Sequence, residues 1–180
     1  MKNPALIKTV ILLLSLLLAG LTCPAQSAPS EYQVKAAFIY NFARFIEWPT
    51  QSYFAADSPM IIGVLGKNDF GDNLAQIING KEIKGHPLQF KEFESVAEAT
   101  NCQVLFISKS EQSDFPKIIV QLQGANILTV SDGDNFISAG GMINLVIVDQ
   151  KIRFQINNDA AKKAGLTISS KLLSLAVNNR

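Results

Sequence analysis

Histidine, cysteine and tryptophan are nearly absent from this sequence, and the first two shortages close off whole classes of chemistry. The single histidine, His86, stands in the turn Gly85-His86-Pro87. Metal sites draw on several His, Cys or acidic ligands, so a lone turn histidine points to none. Of the two cysteines, Cys23 and Cys102, the second lies at the entrance of an apolar run, where a free cysteine behaves as a small hydrophobe. A Cys102–His86 nucleophile and base lacks any flanking signature. No charge of one sign dominates either. The 16 basic and 15 acidic residues are scattered, which argues against nucleic acid or an anionic membrane as partner. No G-x-G-x-x-G accompanies any apolar run, so a dinucleotide cofactor has no support. The expectation is a protein that is not an enzyme and carries no cofactor and no metal.

What is present begins with an address. Lys2 and Lys8 precede the apolar stretch Val10 to Leu21, too short for a comfortable span of ~20 residues. Ala25-Gln26-Ser27 offers the small residues a signal peptidase reads. Cys23 lacks a leucine three positions earlier, which disfavours a lipid anchor. Residues 1–27 are expected to be a cleaved signal peptide and 28–180 one domain, exported to the periplasm. Removing Lys2 and Lys8 from the 16 basic residues leaves 14 against 15 acidic ones, a net charge near −1. The roughly 150 remaining residues suffice for one core. With one cysteine left, no internal disulfide supports it.

Residues 30–49, SEYQVKAAFIYNFARFIEWP, carry more aromatic surface than one helix needs for its own burial. Ser30 and Gln33 fit an S-x-x-Q capping box, so a helix starts there. Pro49 pushes Trp48 out of helical geometry and ends it. Val34, Phe38, Phe42, Phe45 and Ile46, with Ile39 at the margin, lie on one apolar face that reads as core. Tyr40, Arg44 and Trp48 recur at i, i+4 and i+8 on another face. Tyr, Trp and Arg are enriched where proteins bind proteins. These three are the candidate contact residues. The plainer reading stands beside it: Tyr40 and Trp48 packed beneath a loop, with Arg44 paired to Glu47 or a carbonyl, the commoner fate of a half-buried Trp.

Further on, short apolar runs alternate with helical ones. Strands are expected at Met60–Leu65, Leu88–Phe93, Val104–Ile107 and Ile127–Val130, with intervening helices at 72–78, 95–99 and 115–122. That alternation implies crossovers and a parallel sheet. Met142–Val148 is nearly all apolar, and Asp149-Gln150 separates it from the clean alternation of Lys151–Ile156. A two-residue link makes a hairpin, though Asp-Gln is a weaker turn than Asp-Gly. Arg153 faces outward in that register and joins the candidate contact set. Asn158 caps a helix closed by Gly165, and a last helix runs from about Ser169 or Ser170 to Val177. The fold class is α/β: a single-domain sandwich with a mostly parallel sheet of about six strands, helices on both faces and a C-terminal antiparallel hairpin.

Two loops invite a ligand reading. Gly66-Lys67-Asn68-Asp69-Phe70-Gly71 has half the spacing of a phosphate loop, but Asp72 and Asn73 stand where Lys and Ser/Thr belong. Asp69 and Asp72 would repel a phosphate. Ser131-Asp132-Gly133-Asp134-Asn135 lies where open α/β folds place ligands, yet it lacks the later acidic ligand of a calcium loop. Turns stabilised by Asp and Asn side chains account for the second better than a cation does.

The chain resembles the YfiR-like periplasmic proteins. The matching stretches are YQVKAAFIYNFARFIEWP at 32–49, IIGVLGKNDFG at 61–71, CQVLFIS at 102–108, LTVSD at 128–132, GGMINLVIVDQKIRFQIN at 140–157 and AGLTISSKLLSLA at 164–176. The resemblance implies an α/β sandwich that forms a homodimer and does no catalysis. It implies repression of a membrane-bound diguanylate cyclase through its periplasmic part, and sequestration by an OmpA-like outer-membrane lipoprotein. Cyclic di-GMP, biofilm and motility are the outputs implied. Relatives often carry a cysteine where this chain has Gly63, so a redox bridge to Cys102 is not available here. The alternative is a periplasmic small-molecule sensor or solute-binding domain, with a pocket near Gly66 and Asp132.

Overall fold

The computed structural model describes residues 29–55 and 57–177. The expected signal peptide, with Cys23 and the Ala25-Gln26-Ser27 site, lies outside the described residues. Helix α1 spans Glu31–Phe45 and opens on the expected capping box: Ser30 Oγ accepts from Gln33 N–H at 3.3 Å, and Gln33 Oε1 accepts from Ser30 N–H at 2.8 Å.

Two expectations for this helix are corrected. It ends at Phe45 rather than running to Trp48, because Ile46 turns extended at φ −105° and ψ 146°. Ile46–Glu47 then form strand β1, which pairs antiparallel with β9 (Thr167–Ile168), and Ser169 N–H takes the Phe45 carbonyl at 3.0 Å. A tertiary strand pair thus stops the helix before the proline does. The buried stripe is also rotated. Lys35, Ala36, Ile39, Phe42 and Ala43 face the interior, while Val34, Phe38 and Phe45 are only half-buried. Two alanines on the sheet-facing side let the helix backbone sit close, and Ile39 moves from margin to centre.

The main sheet has seven strands in the order β3-β4-β2-β5-β6-β7-β8. Here β2 is Met60–Leu65, β3 Glu82–Ile83, β4 His86–Phe93, β5 Val104–Ile107, β6 Leu128–Ser131, β7 Ile143–Val148 and β8 Lys151–Ile156. Strands β4, β2, β5, β6 and β7 run parallel, and β3 and β8 pair antiparallel at the two ends. The strand of this sheet absent from the sequence reading is β3, only two residues long, as β1 and β9 of the small sheet also are. The central strands β2, β5 and β6 are buried on both faces, as their unbroken apolar runs require. On one face Ile62, Val64, Val104, Phe106, Leu128 and Val130 pack with α1, with α2 (Asn73–Ile78), and with Ala161 and Leu172 of the last two helices. On the other, Leu65, Leu105 and Ile107 meet α3 (Phe115–Gln121) through Phe115 and Ile118. Helix α4 (Asn158–Lys163) is capped one residue earlier than expected: Asn157 Oδ1 accepts from Ala160 N–H at 3.0 Å. Helix α5 (Ser170–Leu173) is shorter than expected, with Ser169 as its cap.

The β7–β8 hairpin closes on Asp149 and Gln150 with φ of 49° and 59°. Positive φ at both positions is the type I′ geometry, which matches the strand twist but strains a side chain. Gln150→Gly should therefore stabilise the protein by about 0.5–1 kcal/mol, the strain relieved exceeding the added freedom of the unfolded chain. Urea denaturation checks it; a lower midpoint would mean that the Gln150 side chain holds the turn.

Candidate functional site

The strand order switches direction beside β2, since β4 lies on one side of it and β5 on the other. In open α/β sheets the crevice at such a point, beyond the carboxyl ends, is where ligands bind. Here it is bordered by the Gly66–Asp69 loop, by Ser110 and by Asp132. The crevice is filled from α1. Lys35, 4 % exposed, reaches down to place Nζ 2.5 Å from Asp132 Oδ2 and 2.5 Å from Glu31 Oε1. Tyr32 Oη lies 3.0 Å from the same Asp132 oxygen and 3.3 Å from Asp69 Oδ2. It has one proton, and the shorter contact to Asp132 is the better donor geometry. Its ring stands edge-on to Phe70 at 5.1 Å, and Phe70 stands edge-on to Phe106 at 4.8 Å.

The electrostatics follow from that closure. Burial first, then the Asp132 carboxylate, pushes the Tyr32 hydroxyl well above its ordinary range. The hydrogen bond from Lys67, 2.6 Å away, holds the Asp69 carboxyl below the usual range. Asp132 spends one oxygen on Lys35 and Tyr32, while its other oxygen is buried without a hydrogen-bond partner. Asp132, proposed with Gly66 to border a ligand pocket, thus serves as a bolt between helix and sheet. Among the described residues no three His, Cys, Asp or Glu side chains converge to hold a metal. Sequence reasoning missed Lys35 and Tyr32. The available signal was a lysine inside an otherwise alanine-rich helix face.

The four predicted contact residues fall on different elements: Tyr40 and Arg44 on α1, Trp48 beyond β1 and Arg153 on β8. Tyr40 is half-buried, with Lys81 Nζ 4.4 Å from its ring centre and the Arg44 guanidinium 5.7 Å from it. Arg44 is exposed on the last turn of α1. Trp48 is no longer a helical rung. It lies beyond β1 in a recess of about 410 Å³ shared with Tyr53, Phe54, Lys84 and His86. Its indole nitrogen is buried without a hydrogen-bond partner. His86 stacks on Tyr53 at 3.8 Å and donates Nδ1–H to Ser58 O at 2.7 Å, so the lone histidine is a packing residue. Arg153 is exposed on β8, in the outward register read from the sequence.

Cys102 is 2 % exposed and free, and burial pushes its thiol up to about 12. Gly63 offers no space for a partner: a Cβ there would lie 2.2 Å from the Phe93 ring. The thiolate is the reactive species, so native Cys102 should resist a maleimide or disulfide reagent and react fast once unfolded. Rapid native labelling, or a covalent dimer lost on reduction, would contradict this.

Fold and site together define an α/β domain whose deepest charges are committed to its own packing, with arginines left on the outside. The family model described as YfiR/HmsC-like matches residues 32–177, and the chain belongs to that family. Its members are periplasmic regulators of the diguanylate cyclase system that act with a membrane signalling protein. Among the described residues no helix is long and apolar enough to cross a membrane. Among solved structures, the chain is similar to a conserved domain protein of Vibrio cholerae O1 biovar El Tor strain N16961. Identity is 14 %, the TM-score is 0.53, and the match covers 86 % of this chain and 62 % of the other. The ABC domain of Streptococcus pneumoniae in complex with L-Trp is also 14 % identical, with a TM-score of 0.49 over 81 % of this chain and 59 % of its own. At this identity the Vibrio likeness speaks of the fold alone.

Proposed function

We propose that this chain is a non-catalytic periplasmic regulator that represses an inner-membrane diguanylate cyclase by binding its periplasmic part. The observation that carries the reading is the family match over residues 32–177, nearly the whole of the described domain. The closed crevice at Asp132 supports it, because the place where this fold usually takes a small ligand is occupied by Lys35 and Tyr32. Sequestration by an OmpA-like lipoprotein and a homodimer belong to the same proposal. Arg44 and Arg153 are its exposed contact candidates, with Tyr40 and Trp48 behind them.

Loss of a repressor releases the synthase. Deleting the gene should raise cellular cyclic di-GMP and surface attachment, and supplying it from a plasmid should restore both. Nucleotide levels that do not move in the deletion strain would remove the cyclase from the proposal.

A further inference from the structure

The two ends of the seven-stranded sheet are finished differently. Beside β4 lies the short β3, whereas β8 is an edge six residues long. Asn157 N–H donates to Met142 O at 2.8 Å, one pair beyond the Ile143–Ile156 register. Hydrogen-bonded pairs alternate along an antiparallel ladder. Gln155, Arg153 and Lys151 therefore turn their backbone groups toward β7, and Ile156, Phe154 and Ile152 turn theirs outward. Val177 N–H donates to the outward Phe154 carbonyl at 2.8 Å, so the C-terminal stretch covers the middle of the edge. It stops there. Among the described residues nothing pairs with the outward backbone groups of Ile152.

The side chains around this open half are sorted by face. On the α1 side, Ile147 is 62 % exposed beside its cross-strand partner Ile152 and Val34. On the opposite side stand Lys151 and Arg153, both exposed. Glu31 borders the same recess, but its carboxylate is bound to Lys35. Cations on an edge strand ordinarily repel further strands, and here they select among them. A second copy of β8 pairing through Ile152 would set Lys151 against Arg153, or Arg153 against itself, and like charges directly opposite are destabilising. An extended segment with acidic residues on one face and apolar residues on the other meets both faces at once.

We propose that the Lys151–Arg153 half of the β8 edge receives, as an added strand, an extended segment of the regulatory partner in which acidic and apolar residues alternate. This rests on the regulatory reading above and gives that partner a chemistry. Strand addition draws affinity from main-chain hydrogen bonds and selectivity from alternate side chains.

The test uses the mature protein and capped, fluorescein-labelled hexapeptides: alternating Asp-Val, the same composition in two blocks, alternating Lys-Val, and alternating Asp-Val with every second amide N-methylated in each of the two registers. Only the unblocked alternating acidic peptide should bind, and methylation should abolish binding in one register and spare it in the other. Lys151→Glu with Arg153→Glu should weaken that peptide about tenfold or more and strengthen the Lys-Val one, since two cross-strand pairs change sign. Equal binding of blocked and alternating peptides, indifference to methylation, or indifference to charge reversal would overturn the proposal. So would a wild-type dimer, seen by sedimentation, that the charge reversal abolishes, for the edge would then belong to a second copy. If the peptides fail while gene deletion still raises cyclic di-GMP, the edge alone is wrong. If they bind and deletion changes nothing, the cyclase reading is the one that falls.

Discussion

Lys35→Met should destabilise the protein by roughly 3–5 kcal/mol, the cost of breaking a buried ion pair from one side. The side chains of Lys35 and Asp132 are 5 % and 2 % exposed, so water cannot replace the lost partner. Asp132 would keep only the Tyr32 hydroxyl, and one of its oxygens already lacks a hydrogen-bond partner. Asp132→Asn should cost less, because Lys35 keeps Glu31 at 2.5 Å on a more exposed site. The informative protein is the double variant. With both charges gone, no uncompensated carboxylate is buried, and stability should recover most of what Lys35→Met loses. Urea denaturation of the four proteins gives the coupling directly. A single-variant cost below about 1 kcal/mol, or additive effects, would mean that water or another cation serves Asp132. The outcome also bears on function: a bolt of this strength fixes α1 to the carboxyl ends of β2 and β6.

Local signals were readable and distant ones were not. The Ser30–Gln33 box placed the start of α1, and the unbroken runs at 60–65 and 104–107 marked interior strands because both of their faces are covered, whereas the equally apolar run at 143–148 is covered only in its first half. The hairpin was legible despite its weak turn residues, since the alternation of β8 carries the register. What the chain alone hid was set by partners far along it. Ile46 reads as another helical residue until Ile168 pairs with it, more than a hundred positions later. The phase of α1 failed for the same reason. A wide aromatic face outweighs two alanines and a lysine on any hydrophobic scale, but Lys35 is drawn inward by Asp132, 97 positions away. Fold-level reasoning pointed to the carboxyl ends of the strands near Asp132, but not to Lys35 and Tyr32 packed against it, because they come from a helix that precedes the whole sheet.

The contact candidates meet their sharpest test in a pair of alanine substitutions on α1. Phe42 is fully buried, with its ring 5.9 Å from Phe38 and 5.0 Å from Phe154. It joins the helix to β8, and Phe42→Ala should cost about 3–5 kcal/mol as transfer and cavity terms add. Arg44 is two positions on and faces water. Its only described contact is with the Tyr40 ring at 5.7 Å, a face it shares with Lys81. Arg44→Ala should therefore shift stability by less than about 0.5 kcal/mol. If Arg44 anchors the partner, the same change should lose on the order of 2 kcal/mol of binding, about thirtyfold in affinity. Stability and binding then separate in the two variants. Arg44→Ala would release cyclic di-GMP synthesis in cells while the protein accumulates normally, whereas Phe42→Ala would do so through loss of the protein itself. Should Arg44→Ala unfold the protein as badly as Phe42→Ala, or leave repression untouched at normal abundance, this face of α1 is not where the partner docks. Trp48 then needs its own test, because β1 has carried it off the helix and into a different recess.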